Sequence, residues 1–396
     1  MKQRTYRKIE SALGRKKRNI LVYWHYPEIL TLPHTKTFSD EIHLAFAIDW
    51  IKNAFHTSHE EGIPAFYNLL DHTWGQSYRE TTGYIIPTLL DYHAMTGDKE
   101  LLRISIKLGE WEIRNQSADG AIGEILKDGS LAPKVFNTGQ VLLGYCALHD
   151  KTGEQKYLAA AEKGCEWLIQ NQDPSGSWEK FSNSGGCTID TRVAFALLSC
   201  FKINGQVKNK TSALKFLDWA ISRQRENGWF ESGSLRDAEN PWTHAIAYTI
   251  SGLLESSRIL NDENMFRSAY KTSEALLNYY EKEVAEKEYL PGSFNRAWQS
   301  SESSYSCLTG NAQIAIDWFK IYEKTREKRF LDAAIRATED LKRLHLTKSR
   351  SPSLRGGLTG SYPISGNYAA FKIPNWAVKF FADALMLKLG NAAEMK

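Results

Sequence analysis

Two kinds of helical segment alternate along the chain. One kind is apolar nearly all round: TGYIIPTLLDYHAM, TGQVLLGYCALHD, DTRVAFALLSCF, THAIAYTISGLLES, TGNAQIAIDWFKIYE and PNWAVKFFADALMLK, starting near residues 82, 138, 190, 243, 309 and 374. A helix with no polar face has to be covered on every side, so these predict an inner layer. The other kind is amphipathic, with apolar residues at helical spacing on one face only, as suits helices that cover a core from outside. These lie near 99–115, 155–171, 210–223, 263–281 and 327–343. The sixth inner segment has no outer partner after it, but a spare amphipathic segment, Glu41–Phe55, precedes the first. Pairing the spare with the last inner helix closes a ring. The pattern predicts an all-α (α/α)6 toroid as one domain over 40–390, with an arm (1–39), a tail (391–396) and both ends at one seam.

A repeat supports the ring. KLGEWEIRNQSADG, EKGCEWLIQNQDPSG and LKFLDWAISRQRENG each carry a tryptophan (Trp111, Trp167, Trp219), a glutamine five residues on (Gln116, Gln172, Gln224) and a glycine nine residues on (Gly120, Gly176, Gly228). Inner-to-outer connections are short (TGDKE, KTGEQ, LNDEN, TREK), while outer-to-inner ones span 56–81, 116–137, 172–189, 224–242, 282–308 and 344–373. All the long loops must then emerge on one face, around the N-termini of the inner helices. Loops on a rigid scaffold are where binding residues concentrate. Helix N-termini converging on a basin favour an anionic or hydroxyl-rich ligand.

Composition narrows the class. Fifty Lys and Arg against 46 Asp and Glu leave a net charge of +4, far from the footprint of a nucleic-acid binder. Arg15-Lys16-Lys17-Arg18 reads as a solvated basic arm, or as a basic address or phosphate contact. No apolar run reaches the length of a membrane span, and the first residues lack the apolar core of a signal peptide. The five cysteines are scattered with no CxxC; Cys146, Cys165 and Cys200 sit in apolar helical runs as core residues. A reducing, cytoplasmic compartment follows as the expectation. No cofactor is implied. His56, His59, Glu60 and Glu61 form the densest ligand-like cluster, but HTSHEE lacks HExxH spacing, and no metal site is predicted.

A six-hairpin toroid with GxW-type loops resembles the six-hairpin glycosidase group: unsaturated glucuronyl hydrolases, related lyases and sugar epimerases. ETTGYIIPTLLDY also resembles a segment of proteins from bacterial surface-polysaccharide clusters. The resemblance implies a carbohydrate role; an RGNGW segment and an epimerase His pair are absent. Lys163-Gly164, Trp167-Leu168, Gln172 and Gly176-Ser177-Trp178 resemble the QW motif of squalene and terpene cyclases. The DxDD and DDxxD acids of isoprenoid chemistry are missing, so the motif speaks for the fold.

Polar residues on the first turns of the inner segments should ring the basin. They are Arg79 and Glu80, Asn137 and Gln140, Asp190 and Arg192, His244 and Tyr248, Asn311 and Gln313, and Asn375 and Lys379. Asn137, Asp190 and Asn375 also suit helix caps. Glycoside hydrolysis needs a proton donor and usually a second base or nucleophile; two carboxylates about 5–10 Å apart are the common solution, and Glu80 and Asp190 are the predicted pair. Lysis or C5 epimerisation of a uronate needs a base, His244 or Tyr248, and a cation, Arg192 or Lys379. Trp74, Trp178, Trp229, Trp298, Tyr362 and Tyr368 lie in long loops; Trp298 beside Arg296 falls outside the repeat and is the predicted sugar platform. The expected partner is an acidic oligosaccharide or polysaccharide, with hydrolysis ahead of lysis or epimerisation. Isoprenoid processing and a non-catalytic glycan- or protein-binding toroid are the alternatives.

Overall fold

The computed structural model describes residues 2–32, 37–126, 128–182, 185–234, 237–284 and 289–394. Parts of the predicted arm, tail and long loops lie outside them. Among the described residues, α1 (Lys2–His25) precedes an alternating series. It runs α2 (Asp40–Thr57), α3 (Arg79–Thr96), α4 (Lys99–Asn115), α5 (Val135–Thr152), α6 (Gln155–Gln170), α7 (Thr191–Asn204) and α8 (Val207–Ser222). It continues with α9 (Thr243–Leu260), α10 (Glu263–Tyr279), α11 (Leu308–Thr325), α12 (Lys328–Leu344) and α13 (Asn375–Glu394). The odd-numbered helices from α3 to α13 form the inner ring, and the even-numbered ones cover it. The ring closes where α13 packs against both α2 and α3. The chain is an (α/α)6 toroid.

Local chemistry explains the alternation. Inner helices α3, α5 and α7 stop at Gly97, Gly153 and Gly205, each with a left-handed φ near +70° that a side chain disfavours. The next helix then starts within two residues; Asp98 caps α4 by accepting from the Glu100 amide at 2.9 Å. Tight inner packing is set by other glycines. A Cβ on Gly83 would lie 2.6 Å from the Val141 Cα, and one on Gly252 2.3 Å from the Thr191 carbonyl carbon. Cys146, Cys165 and Cys200 are buried, unbridged core residues, as the sequence implied.

The Trp/Gln/Gly repeat fastens one hairpin to the next. Gln172 Nε2 donates to Gly176 O at 2.8 Å and to Ser212 O on α8 at 2.9 Å, while its Oε1 accepts from the Ser212 hydroxyl at 2.7 Å. Gln116 does the same towards Gly120 O and Ala160 O on α6, and Gln224 towards Ser268 on α10. Each repeat glycine lies against the following outer helix; a Cβ on Gly176 would meet Lys215 O at 2.5 Å.

The helical pattern does not show the three small antiparallel sheets that the long loops form among the described residues. β1 (Phe66–Asn68) pairs with β2 (Thr73–Trp74) and with β7 (Lys372–Pro374), so the first and last long loops are hydrogen-bonded across the seam; β3 (Gly123–Ile125) pairs with β4 (Leu131–Pro133), and β5 (Ser306–Cys307) with β6 (Ser361–Tyr362). The predicted arm is also more structured than a solvated leader: α1 is helical, and Val22, Tyr26 and Ile29 bury against the ring.

Gln172→Ala should lower unfolding stability by about 2–4 kcal/mol, because it strands the Ser212 and Gly176 groups that the amide satisfies. Urea unfolding followed by circular dichroism measures it; an unchanged midpoint would show that the repeat does not fasten the hairpins.

Candidate functional site

The inner helices begin on the long-loop face, as the connection lengths imply, and their first turns bring some of the predicted residues together. Glu80, in the first turn of α3, accepts a hydrogen bond from Tyr78 Oη at 2.9 Å. Burial raises its carboxyl to about 7; the Tyr78 bond opposes the rise, nearby Glu124 adds to it and Arg192 opposes it. Arg192, buried on α7, is aimed by Gln140 Oε1 at 2.9 Å and Ser251 Oγ at 3.1 Å, and its guanidinium lies 5.6 Å from the Tyr248 ring centre. Tyr248 packs tilted against His244 (4.4 Å between centroids) and lies within electrostatic reach of Glu80 and Tyr84. Glu80, Arg192, His244 and Tyr248, with Gln140 and Gln313, thus form one cluster.

His244 is buried and neutral at pH 7: loss of solvation lowers its pKa to about 4, against the opposing hydrogen bond of Gln313. Its Nδ1 lies 2.6 Å from Gln313 Oε1. With the amide oriented that way, Nδ1 carries the proton and Nε2 keeps a lone pair. Tyr368, from the last long loop, roofs the imidazole at 5.2 Å and is held by Trp376 Nε1 at 2.8 Å. The same loop carries β7, which pairs with β1 across the seam.

Other predicted residues are employed elsewhere. Arg79 turns outward, bonding Gly123 O and Asn115 Oδ1, because burial against the basin would strand its charge. Asn311 is saturated by Leu290, Ser306 and Cys307, and Asn375 ties Pro64 O to Thr81; both brace loops. Trp298 is no open platform: its indole bonds Asn227 O at 2.8 Å and packs on Trp229 and Phe294, with Arg296 on the outer rim. Trp74 packs on Trp50 and Tyr67, Trp178 on Phe216, and Tyr362 on Tyr289. Glu60 and Glu61 pair with Arg103, Lys107 and Arg114 of α4, and His56 reaches Glu100.

Of the predicted carboxylate pair, Glu80 feels the charges of Glu124 and Arg192, and buried Asp190 faces Ser182. Burial raises Asp190 to about 8, and its Oδ2 has no hydrogen-bond partner. Asn137, Gln140 and Gln313 likewise each keep one buried, unpartnered amide nitrogen.

Sequence reasoning missed the polar column below the basin. Tyr84, Thr88 and Asp91 continue from Glu80 down α3; Ser251 and Glu255 continue from Tyr248 down α9; Asp317 and Lys320 follow Gln313 on α11; Asp383 follows Lys379 on α13. Lys320 pairs with Glu255, and Lys379 with Asp383, which also accepts from Thr88 Oγ1 at 2.8 Å. Burial pushes the Asp317 carboxyl well above the usual carboxylate range, with Lys320 and Arg192 opposing. The steps of three and four residues, inside segments read as apolar all round, were the available signal. At the far end, a cavity of about 830 Å³ opens among Asp91, Glu255, Lys320, Asp383, Leu254 and Met386.

No family model matches the chain, and no curated protein matches it. Solved structures do match in fold. A crystal structure of an unsaturated glucuronyl hydrolase specific for heparin superposes with a TM-score of 0.71 at 14% identity, covering 90% of this chain and 99% of that one. The unsaturated glucuronyl hydrolase of Bacillus sp. GL1, responsible for degradation of glycosaminoglycan, gives 0.71 at 15% identity over 88% and 96%. Cellobiose 2-epimerase from Bacillus thermoamylovorans gives 0.66 at 11% identity over 86% and 99%. The toroid is therefore shared with these enzymes.

Glu80→Gln should stabilise the protein at pH 8 while leaving it unchanged at pH 4. The unfolded carboxyl ionises near 4.5 and the folded one near 7, so wild type loses stability as pH rises through that window and the amide does not. The full shift corresponds to roughly 3 kcal/mol; Glu80 keeps partial solvent contact, so about 1–2 kcal/mol is expected. Urea titrations of both proteins at pH 4, 6 and 8 read the difference, and parallel curves would refute the assignment.

Proposed function

We propose that the protein is a carbohydrate-active enzyme of polysaccharide metabolism that hydrolyses an acidic oligosaccharide, with Glu80 as its proton-transferring group. The observation that carries this reading is a carboxyl raised to about 7 beside a buried Arg192, at the loop-face mouth of the toroid. A group with that pKa is available both as acid and as base near neutrality. Arg192, backed by inner-helix N-termini, supplies the positive field for a uronate carboxylate. Tyr248 and Tyr368 pack on His244 beside it and give the cluster an aromatic wall. Solved toroids of like fold include hydrolases of unsaturated glucuronyl substrates, which supports the substrate class.

In this mechanism protonated Glu80 donates to the bridging oxygen as the glycosidic C–O bond breaks, and the electron pair leaves with that oxygen. Water adds to the electron-deficient carbon, and ionised Glu80 takes the water's proton. One carboxyl completes the cycle, so Asp190 need not be the second. The unbridged, buried thiols suit a reducing, cytoplasmic compartment.

A second reading, epimerisation, is favoured by one observation: His244 is a neutral imidazole whose Nδ1 is engaged by Gln313, leaving Nε2 as a base. It would remove a carbon-bound proton and be marked by solvent-deuterium uptake without cleavage.

On acidic oligosaccharides followed by mass spectrometry, Glu80→Gln should lower kcat by about 10²–10⁴-fold. Arg192→Met should mainly raise KM, and wild-type kcat/KM should fall above pH 7 as Glu80 loses its proton. Wild-type turnover by Glu80→Gln would sink the hydrolytic reading; deuterium uptake abolished in His244→Gln would replace it with epimerisation.

A further inference from the structure

The basic run near the start of the chain remains unexplained by the toroid. Between Lys2 and His25, α1 carries eight Lys or Arg and one Glu, a net +7, while the whole chain is only +4, so the remainder is −3. One face of α1 is anchored. Arg15 donates to Asn367 Oδ1 at 3.3 Å and Asn19 to Ser365 Oγ at 3.4 Å; Val22 is buried, and beyond the helix Tyr26 bonds Tyr67 and His72. Positions 15, 19 and 22 share that face by helical spacing.

The opposite face is apolar and uncovered. Trp24 is 83% exposed and Ile20 69%, with Leu21 and, just beyond the helix, Leu30 also exposed. These are four of the ten exposed large hydrophobics among the described residues, gathered within residues 20–30. Lys16, Lys17 and Arg18 stand exposed one turn away. A helix with Trp, Ile and Leu on an outward face and clustered Lys and Arg beside it has the chemistry of the bilayer interface, where aromatic and aliphatic groups enter the headgroup boundary and cations meet anionic lipid.

We propose that α1 docks the protein on an anionic membrane surface, with Ile20, Leu21 and Trp24 inserted at the headgroup level and the basic cluster on lipid phosphates. Charge argues for this occupant: two copies of α1 would bring +7 against +7, and a nucleic acid would leave the aliphatic groups uncovered. The docking is peripheral, since no described helix is long and apolar enough to cross a membrane. Arg15 and Asn19 hold α1 to the same loop that carries Tyr368 over His244, so membrane contact would set the roof of the candidate site beside the lipid surface.

The test is vesicle flotation of the full chain with phosphatidylcholine alone and with phosphatidylcholine plus phosphatidylglycerol. Wild type should float only with the anionic vesicles, and less at 500 mM than at 50 mM salt. The pair Ile20→Ser/Trp24→Ser and the triple reversal Lys16→Glu/Lys17→Glu/Arg18→Glu should each reduce flotation about 10-fold or more while keeping the wild-type melting transition, because the altered side chains are exposed. Failure of wild type to float with anionic vesicles would overturn the proposal. So would flotation unaffected by the apolar pair, which would mean charge alone, as for a nucleic-acid contact. A lipid-free dimer in sedimentation velocity that the apolar pair dissociates would assign the face to a second copy instead.

Discussion

The ring depends on the amide clamp that each repeat glutamine makes between its own loop and the next outer helix. Amphipathic hairpins bury apolar surface well in pairs, but hydrophobic burial has no direction and does not choose a closed ring over an open stack. Gln116, Gln172 and Gln224 supply the direction. Gln116 and Gln172 each satisfy a loop carbonyl and a group of the neighbouring outer helix at once, Gln224 bonds Ser268 and Thr272 of α10 while Thr272 takes the Gly228 carbonyl, and the adjoining glycine lets the two backbones touch. The seam lacks this repeat and is fastened otherwise, by β1 paired with β7 and by Asn375 reaching Pro64 and Thr81.

Closure has an electrostatic consequence. Inner helices that approach at glycines point their polar side chains into a narrow axis with little water, where charges must pair, lose or keep a proton, or meet a ligand. Pairing and shifted protonation both occur: Lys320 with Glu255 and Lys379 with Asp383 pair, burial pushes the Asp317 carboxyl up, and His244 stays neutral. Glu80 sits at the wet end of the axis, where burial is strong enough to lift its pKa but not to silence it. The same confinement that makes Glu80 useful for proton transfer makes its ionised form a local cost to the fold.

Much of the architecture was legible because it is written in local pattern. Apolar periodicity separated inner from outer helices, glycine after α3, α5 and α7 marked their stops, and the spare helix at Glu41–Phe55 required closure. The basin face followed from loop lengths alone. The site was only half legible. Gln140, Arg192, His244, Tyr248, Gln313 and Glu80 converge, whereas Arg79, Asn311, Asn375 and Trp298 are drawn into loops. A first-turn position tells which end of a helix a residue occupies, not which neighbour its side chain finds.

By itself, then, the chain determined a six-hairpin toroid, its seam, its loop face and an unusually basic opening segment, since periodicity, glycine and charge are properties of neighbours in sequence. Only the tertiary structure joined the polar steps of four helices into one axial column, brought Tyr368 over His244 and left Trp24 bare. Those outcomes rest on contacts between residues that lie far apart in the chain, and on how much water closure leaves around each.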